Sequence, residues 1–422
     1  MNDNPAEQAG QDRDASPTTW ELFRRFADDP PLVPPVPGDP PRSVEERLAY
    51  HSRFVTVRTP AVVRTLLEVR TLMALGRYQQ ATARPSLIVT GPPTTGKTTT
   101  LLEVGRTCHL AEQARAGHGV SRVPVAYLLV PPGASAKALA LEFARYLGIP
   151  VSARMTQAQI AASVCHTYNT AGVRLVMIDE IHRLNPRTST GAEAADFLKD
   201  LTERISATFV YAGIDVTATA LFTGTAGAQL AGRAGLIDCD PLPVVARASI
   251  VAAGTSVTGP GVGATARGRS SDGGSPGAGR SGDSEGPAGG EGGTRRGRGG
   301  SSSDGADSSH SADEGGGGRS TVLIRPFRET VAAMENALDL QHHRPGSLVR
   351  LAPYLHERTA GRIGSLSRLL RRAAITAILD QSEKITRASL DAIALDHLAE
   401  EHYRPRTPVR RSPRATTPAR RT

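Results

Sequence analysis

Apolar residues in the first half of the chain form short continuous runs separated by longer stretches with helical spacing. Between Pro85 and Pro243 four runs have the length of a strand, namely SLIVTG, VPVAYLLV, VRLVMIDE and ATFVYAGI. Helical patterns begin at Lys97, Ala136 and Ala192. Uniformly apolar strands that alternate with helices are typical of a parallel sheet covered on both faces. The pattern therefore predicts an α/β core, which we place at residues 45–245.

The segment before this core differs from it in amino-acid composition. Residues 1–44 contain the run DDPPLVPPVPGDPPR, which is too rich in proline for a helix or a central strand. We expect an extended arm, interrupted by a short helix at TWELFRRFA. Helical spacing begins near Val44, and AVVRTLLEVRTLMAL places Val62, Leu66, Val69 and Met73 on one face. This helix leads into the first strand.

Two compositional changes divide the rest of the chain. Residues 246–320 are rich in glycine and serine and almost free of large apolar residues, which predicts a disordered insert because little burial can offset the entropy of folding. Residues 321–400 hold four helical stretches and predict a small all-α domain, with Ser365 and Thr386 as N-caps. Residues 401–422 predict a flexible basic tail, since RPRTPVRRSPRATTPARRT has seven arginines and no acidic residue.

Composition restricts the location and the partners of the protein. The formal net charge of +9 permits contact with nucleic acid or another acidic surface without specifying a fold. The three cysteines, Cys108, Cys165 and Cys239, lack the paired spacing of a zinc site or a disulfide framework, as expected in a reducing compartment. No run of about eighteen apolar residues occurs, and the first residues are polar and acidic, unlike a signal peptide. We expect a cytoplasmic protein without membrane contact.

One of only four lysines stands in GPPTTGKTTT, residues 91–100. The spacing Gly91-x-x-x-x-Gly96-Lys97-Thr98, after an apolar strand and before an apolar helix, is typical of a phosphate-binding loop rather than of a glycine-rich turn with a surface lysine. Backbone N–H groups of such a loop converge on phosphate oxygens, the ammonium reaches the β and γ phosphates, and the hydroxyl of Thr98 can bind Mg²⁺. The residues predicted to hold the nucleotide are Gly91, Pro92, Pro93, Thr94, Thr95, Gly96, Lys97, Thr98 and Thr99.

Two carboxylates end the predicted strand in VRLVMIDEIHRL. Asp179 at the carboxyl edge of the sheet can hold Mg²⁺ through water, together with Thr98. Glu180 can accept a proton from the water that attacks the γ-phosphate. The alternative is a solvated acidic turn after a core strand. The phosphate loop upstream favours the catalytic interpretation and predicts an ATPase with ATP and Mg²⁺ as its cofactors.

The chain resembles AAA+ ATPases, because it contains GPPTTGKTTT, LVMIDEIHRL, QLAGRAG and a C-terminal helical domain in that order. The forms IDEIH and GRIGSLSRLLRRAAITAI are similar to the TniB/TnsC type of transposition ATPase, over roughly residues 44–240 and 321–400. The resemblance implies an AAA+ αβα sandwich with a parallel sheet and a small all-α lid. It also implies head-to-tail self-assembly, often as a filament, on double-stranded target DNA, and delivery of a transposase to that DNA.

The resemblance also implies roles for two basic residues. Arg233 in QLAGRAG matches the position of the family's arginine finger, which would stabilise the γ-phosphate held by a neighbouring subunit. Ala234 follows it where the family usually has phenylalanine. Lys137 begins a helix in the region from which family members contact the DNA backbone, so we predict that it contacts phosphate. The alternative for Lys137 is an ordinary exposed helix residue.

Two sensor positions are less well defined by the sequence. The first sensor of the family falls within FVYAGIDV, whose strand end is apolar, and Asp215 is the nearest polar candidate. The second sensor is an arginine near the start of a lid helix, which leaves Arg362 and Arg368 as alternatives. The apolar first sensor slightly favours a different function, a nucleotide-dependent protein switch or scaffold with little hydrolysis.

The leading interpretation is an ATP-dependent factor that binds DNA through backbone shape and charge, since no base-reading module is recognisable. A third interpretation, an AAA+ helicase loader or replication initiator, shares every motif as far as Arg233.

Overall fold

The computed structural model describes residues 16–403 except for positions 37, 54, 79–83, 117–121, 186–187, 220, 223 and 251–319. The described residues as far as Arg247 and from Leu323 onward belong to one compact unit, the first unit, and residues 248–250 and 320–322 are assigned to a second. Most of the predicted insert and nearly all of the predicted basic tail lie outside the described residues. At the two ends of the insert, strands Ala246–Ile250 and Ser320–Ile324 pair in a two-stranded sheet.

Five parallel strands form the central sheet of the first unit. They are β1 (Ser86–Thr90), β2 (Val125–Leu129), β3 (Leu175–Asp179), β4 (Thr208–Gly213) and β5 (Ala234–Asp238), in the order β2-β3-β4-β1-β5. Every residue of β3 and β4 is buried, as expected for strands that are covered on both faces. The carboxyl ends of β1, β3 and β4 therefore meet at one edge of the sheet.

Four of these strands are those predicted from the apolar runs. The fifth strand, β5, was not predicted, because AGLID is short and only partly buried at the edge of the sheet, where Leu236 is 53% exposed. Helices precede and separate the strands: α1 (Trp20–Asp28), α2 (Val44–Arg53), α3 (Pro60–Tyr78), α4 (Lys97–Ala116), α5 (Ala136–Tyr146), α6 (Gln157–Thr170), α7 (Ser189–Arg204) and α8 (Gly224–Ala231).

The C-terminal part of the first unit is helical, as predicted, and has its own apolar core. Its helices are α9 (Pro326–Asn336), α10 (Ser347–Arg350), α11 (Ala352–Thr359), α12 (Ile363–Leu379), α13 (Arg387–Asp391) and α14 (His397–His402). Thr386 caps α13 as predicted, in a reciprocal capping box with Ser389. The prediction for Ser365 is wrong: α12 begins two residues earlier, and the Ser365 hydroxyl donates to Asp396 Oδ2 at 2.8 Å. The α/β core with its small helical lid confirms the predicted AAA+ fold class.

The N-terminal arm contains the short helix expected at TWELFRRFA, and this helix packs on the core. Phe23 and Ala27 of α1 are fully buried against the central sheet and α4. The His109 ring on α4 lies edge-on to Phe23, and its Nε2 is 3.3 Å from Asp28 Oδ1. A segment that looked like an extended arm therefore contributes apolar side chains to the core.

Helix α2 contacts the lid rather than the sheet. Arg47 forms a buried bidentate ion pair with Glu383, with N–O distances of 2.6 and 2.9 Å. The hydroxyl of Tyr50 donates to the Ala337 carbonyl at 2.8 Å, and Arg371 of α12 donates to the His51 carbonyl at 3.2 Å. The lid is thus held by residues that precede the first strand of the sheet in the chain. Among the helices of the described ranges, none combines the length and the apolar content that a bilayer span requires.

Candidate functional site

The loop between β1 and α4 follows a tightly constrained path. Gly91 has φ of +154°, and a Cβ atom at this position would lie 2.4 Å from the Cys239 carbonyl oxygen. Gly96 has φ of +90°, in the left-handed region that favours glycine. Glycine is therefore required at position 96 by the backbone conformation, and at position 91 because the main chain of Cys239 approaches closely.

Lys97, the first residue of α4, folds back over this loop. Its ammonium donates to the carbonyl oxygens of Gly91 at 2.8 Å and Pro92 at 2.7 Å, and the residue is only 8% exposed. Burial lowers the pKa of Lys97, while the nearby charges of Asp179 and Glu180 act in the opposite direction. The positive charge therefore lies inside the loop, where a triphosphate would supply acceptors for it.

Asp179, at the end of β3, connects this strand to α4 and to β2. Its Oδ2 accepts from the Thr98 hydroxyl at 2.6 Å and from the Tyr127 hydroxyl at 3.1 Å, and its Oδ1 accepts from the N–H of Glu180 at 2.8 Å. Burial, followed by the carboxylate, raises the pKa of Tyr127, so this phenol remains a donor. Sequence reasoning did not identify Tyr127, because in VAYLL it has only the pattern of a core residue.

The donor set fits a magnesium ion that is shared with phosphate. Thr98 supplies a hydroxyl and Asp179 a carboxylate, and their oxygens are 2.6 Å apart. Within the described residues, no group of three or more His, Cys, Asp or Glu side chains could hold a metal ion by itself. Mg²⁺ usually retains several waters and binds proteins through one or two side chains plus substrate phosphates. The pair is therefore suited to Mg²⁺ that arrives with a nucleotide.

Glu180 has an unusual backbone and two basic neighbours. Its φ is +60°, and it precedes a short 3₁₀ turn formed by residues 181–183. Its Oε2 lies 3.3 Å from Arg183 Nη2 and 3.5 Å from His182 Nε2. Thr94 in the loop and Asp215 after β4 also have positive φ. Non-glycine residues held in this region are strained, and such residues often cluster at functional sites.

The end of β4, where the sequence places the first sensor, presents few polar side chains. Asp215 is exposed and precedes the 3₁₀ turn Val216–Ala218 without capping it by its side chain. The N–H of Ile214 donates to His182 Nδ1 at 3.4 Å, which places the ring between β3 and β4. His182 was not singled out from the sequence; its position directly after the two carboxylates was the available signal.

The lid contacts the phosphate loop through the first turn of α12. The N–H of Gly364 donates to the Thr94 carbonyl at 2.7 Å. The two arginines considered for the second sensor differ clearly. Arg368 is half exposed and pairs with Asp396 at 3.3 Å, whereas the Nε and Nη1 atoms of Arg362 are buried and lack hydrogen-bond partners in the described part of the chain.

Two predicted residues lie away from the phosphate loop. Arg233 is exposed at the amino end of β5, where its carbonyl accepts from the N–H of Ser86, the first residue of β1. The phosphate loop begins at the other end of β1, roughly 13 Å away at 3.3 Å per residue. Lys137 is exposed in the first turn of α5, after the N-cap Ser135. The structure thus assembles Lys97, Thr98, Asp179 and Glu180, and leaves these two outside.

Comparison with known proteins supports the motif-based resemblance. Residues 47–234 match the family model described as bacterial TniB protein. Solved structures with a similar fold include the ORC1 protein of Aeropyrum pernix in complex with DNA, with 12% identity and a TM-score of 0.47, covering 80% of this chain and 65% of that one. Cdc6p of Pyrobaculum aerophilum has 13% identity and a TM-score of 0.45, with 80% and 68% coverage.

The ORC2 protein of Aeropyrum pernix, in ADPNP and ADP complexes, has 12% identity and a TM-score of 0.47, with 87% of this chain and 69% of that chain covered. The chain thus spans about two thirds of the length of these three structures. No curated protein matches it. Residues 47–234 carry the TniB family pattern on an AAA+ fold, as the motifs predicted.

Proposed function

We propose that the protein is an ATP-dependent, DNA-binding AAA+ ATPase that assembles on target DNA and recruits or regulates a transposase. The observation that supports the ATPase part is the meeting of Lys97, Thr98, Asp179 and Glu180 at one sheet edge. The match to bacterial TniB supports the transposition part.

The chain's own residues divide the reaction between them. The Lys97 ammonium exchanges its two carbonyl contacts for the β and γ phosphates. Thr98 and Asp179 would hold Mg²⁺, which would supply neutralisation of the charge that develops on the phosphates. Glu180 orients the attacking water and accepts its proton. Tyr127 keeps the Asp179 carboxylate in place by its hydrogen bond.

Two arginines complete the site in this proposal. Arg362 serves as the lid sensor, because its buried guanidinium has two nitrogens without partners beside the helix turn that touches the phosphate loop. Such nitrogens gain a charge-assisted hydrogen bond from a phosphate oxygen. Arg233 lies too far from the loop of its own subunit to act there, so its role as arginine finger requires a second copy of the chain arranged head to tail.

Double-stranded DNA is the proposed polymer on which the subunits assemble. The net charge of +9, the exposed Lys137 and the arginine-rich C-terminal sequence supply counterion-releasing contacts that read no base sequence. Removing residues 404–422 should therefore reduce the dependence of DNA affinity on salt concentration. Exchange of Lys137 for glutamate should weaken binding at low salt, and an unchanged affinity would remove Lys137 from the interface.

The proposal is tested by ATP hydrolysis with and without double-stranded DNA. We expect DNA to stimulate the rate, Lys97→Ala to abolish ATP binding, and Glu180→Gln to keep ATP bound while blocking turnover and trapping the assembled form. Equal loss of ATP binding in both variants would contradict the role given to Glu180.

A second candidate is a nucleotide-dependent switch that acts on protein partners with little hydrolysis. The apolar end of β4 favours it, since Asp215 is exposed rather than directed into a network with the phosphate loop. A rate that is slow and indifferent to DNA would support this candidate over the first.

A further inference from the structure

The space at the end of β4 is filled by a ring from the turn that follows β3. Gly213, the last residue of β4, is buried, and a Cβ atom at this position would lie 3.1 Å from His182 Nδ1 and 3.1 Å from Ile181 Cγ2. Protein interiors are close-packed, so a larger residue at this strand end would displace the histidine. The place of a strand-end side chain is therefore occupied by His182.

A hydrogen bond at one nitrogen of this ring fixes the proton on the other. The N–H of Ile214, the first residue after β4, donates to His182 Nδ1 at 3.4 Å. Because Nδ1 accepts this bond, the neutral ring carries its proton on Nε2. Nε2 lies 3.5 Å from Glu180 Oε2, so the donor side of the ring faces the carboxylate. Contacts of this length commonly shorten once the substrate is bound.

The backbone of Glu180 brings the two side chains together. Its φ of +60° is followed by the 3₁₀ turn Ile181–Arg183, and the N–H of Arg183 donates to the Glu180 carbonyl at 2.9 Å. This reversal of the chain places the ring two residues later beside the carboxylate. A left-handed conformation at a residue other than glycine persists only where its surroundings hold it, and it often marks a functional site.

The carboxylate of Glu180 is contacted on one oxygen by both basic neighbours. Arg183 Nη2 lies 3.3 Å from Oε2, the same atom that His182 Nε2 approaches. The two neighbours differ in what holds them, since Arg183 is anchored on the carbonyl of Val130 and His182 on the N–H of Ile214. Because both contacts are made to Oε2, the other oxygen, Oε1, is left for the attacking water.

We propose that His182 is a positioning residue for ATP hydrolysis, which holds Oε2 of Glu180 and so assigns proton acceptance to Oε1. This inference rests on the proposed function, since it concerns the water that attacks ATP. The water oxygen bonds to the γ-phosphorus, its proton passes to Oε1, and the bond from the γ-phosphorus to the β-phosphate oxygen breaks with ADP as the leaving group. His182 thus supplies, from the turn after β3, the polar group that the apolar end of β4 lacks.

Two amide side chains separate the functions of the two ring nitrogens. Asparagine places its amide oxygen near the position of Nδ1, where it can accept from Ile214, but it has no donor near Glu180. Glutamine places its amide nitrogen near the position of Nε2, where it can donate to Glu180, but it has no acceptor near Ile214. If His182 acts through Nε2, the glutamine variant should be the more active. If the ring only supports the main chain after β4, the asparagine variant should be the more active.

The measurement is steady-state ATP hydrolysis by the full chain with magnesium, together with titration by a fluorescent ATP analogue. We expect His182→Asn to lower kcat by about tenfold to hundredfold with KM and ATP affinity unchanged, because the proton acceptor is displaced while the phosphate loop is intact. His182→Gln should restore most of this turnover. His166→Asn is the matched control, since His166 is an exposed histidine on α6, and its kcat should equal that of the unaltered protein.

An unchanged kcat in His182→Asn, or a higher kcat in His182→Asn than in His182→Gln, would overturn the role of His182 and leave the proposed function standing. Absence of hydrolysis by the unaltered protein, with and without DNA, would refute the proposed ATPase and this inference with it. If His182→Asn does not fold, Gly213→Ala is the second variant, because its Cβ would press on Nδ1 and move the ring away from Glu180. Its kcat should fall with ATP affinity unchanged, and an unaltered kcat would overturn the proposal.

Discussion

The contact between the lid and the phosphate loop predicts that exchange of glycine for alanine is harmful at Gly364, although the same exchange is neutral or stabilising inside another helix. Gly364 lies in the first turn of α12 and has no left-handed backbone requirement. Alanine there would ordinarily favour the helix by up to about 1 kcal/mol. A Cβ atom at this position, however, would lie 2.7 Å from the Thr94 carbonyl oxygen and 3.2 Å from its carbonyl carbon. The phosphate loop would have to move.

The expected loss follows from the two interactions affected. Relieving a clash with main chain costs about 1–3 kcal/mol, and the Gly364 N–H to Thr94 bond of 2.7 Å contributes about 1 kcal/mol. After subtraction of the helix gain, Gly364→Ala should weaken lid docking by about 1–3 kcal/mol. Where ATP binding needs the docked lid, this corresponds to roughly a fivefold to 150-fold loss of ATP affinity.

The assay is titration with a fluorescent ATP analogue, together with thermal unfolding. Gly76→Ala is the control, since Gly76 lies inside α3 and its Cβ would meet neighbours no closer than 3.5 Å. That variant should be neutral or more stable, with unchanged ATP affinity. If Gly364→Ala binds ATP as tightly as the unaltered protein and unfolds at the same temperature, the docking of the lid on the loop is not what the structure indicates.

Three further predictions concern the lid and the metal site. Arg47→Leu should lower the free energy of unfolding by about 3 kcal/mol in chemical denaturation, because it leaves Glu383 buried without its partner. A variant as stable as the unaltered protein would show that the ion pair is solvated. Burial lowers the pKa of His51 below its ordinary 6.5, so the unfolded chain binds the proton more readily than the folded one. The free energy of unfolding should therefore fall as pH drops below about 6.5. Measured over pH 5–8, this dependence should be flatter in His51→Gln. Tyr127→Phe removes a donor to Asp179 worth about 1 kcal/mol and should weaken magnesium-dependent ATP affinity severalfold, while affinity without magnesium stays unchanged.

The central sheet and the conformation of the loop after β1 were predictable because their signals are local. A buried parallel strand is an apolar run, and a phosphate loop is a fixed spacing of glycines with a lysine before a helix. The same reasoning missed β5, whose edge position leaves Leu236 exposed and removes the continuous apolar pattern. It also missed α6, although Thr156 and Gln159 form a capping box at its start that could have been recognised.

The contacts around Glu180 were not predictable, since they depend on which peptide groups the folded strands bring together. Arg183 is one of many arginines in the sequence, and nothing in its local pattern distinguishes it from a solvated one. Only the parallel pairing of β2 with β3 brings the Val130 carbonyl within 2.7 Å of its guanidinium. The choice between Arg362 and Arg368 depended in the same way on the distant Asp396, which engages only the second.

The position of α12 links nucleotide binding to the N-terminal segment. Its first turn touches the phosphate loop through Gly364, and farther along the helix Arg371 donates to the carbonyl of His51 in α2. A helix of 17 residues moves largely as a rigid rod, so a shift of the loop on binding phosphate must also displace the contacts at α2. Because Arg47 and Glu383 resist that displacement through a buried pair, α2 should set how readily the lid moves. Arg47→Leu should therefore increase exchange of lid amide hydrogens in the nucleotide-free protein more than in the ATP-bound one, and equal increases in the two states would refute this link.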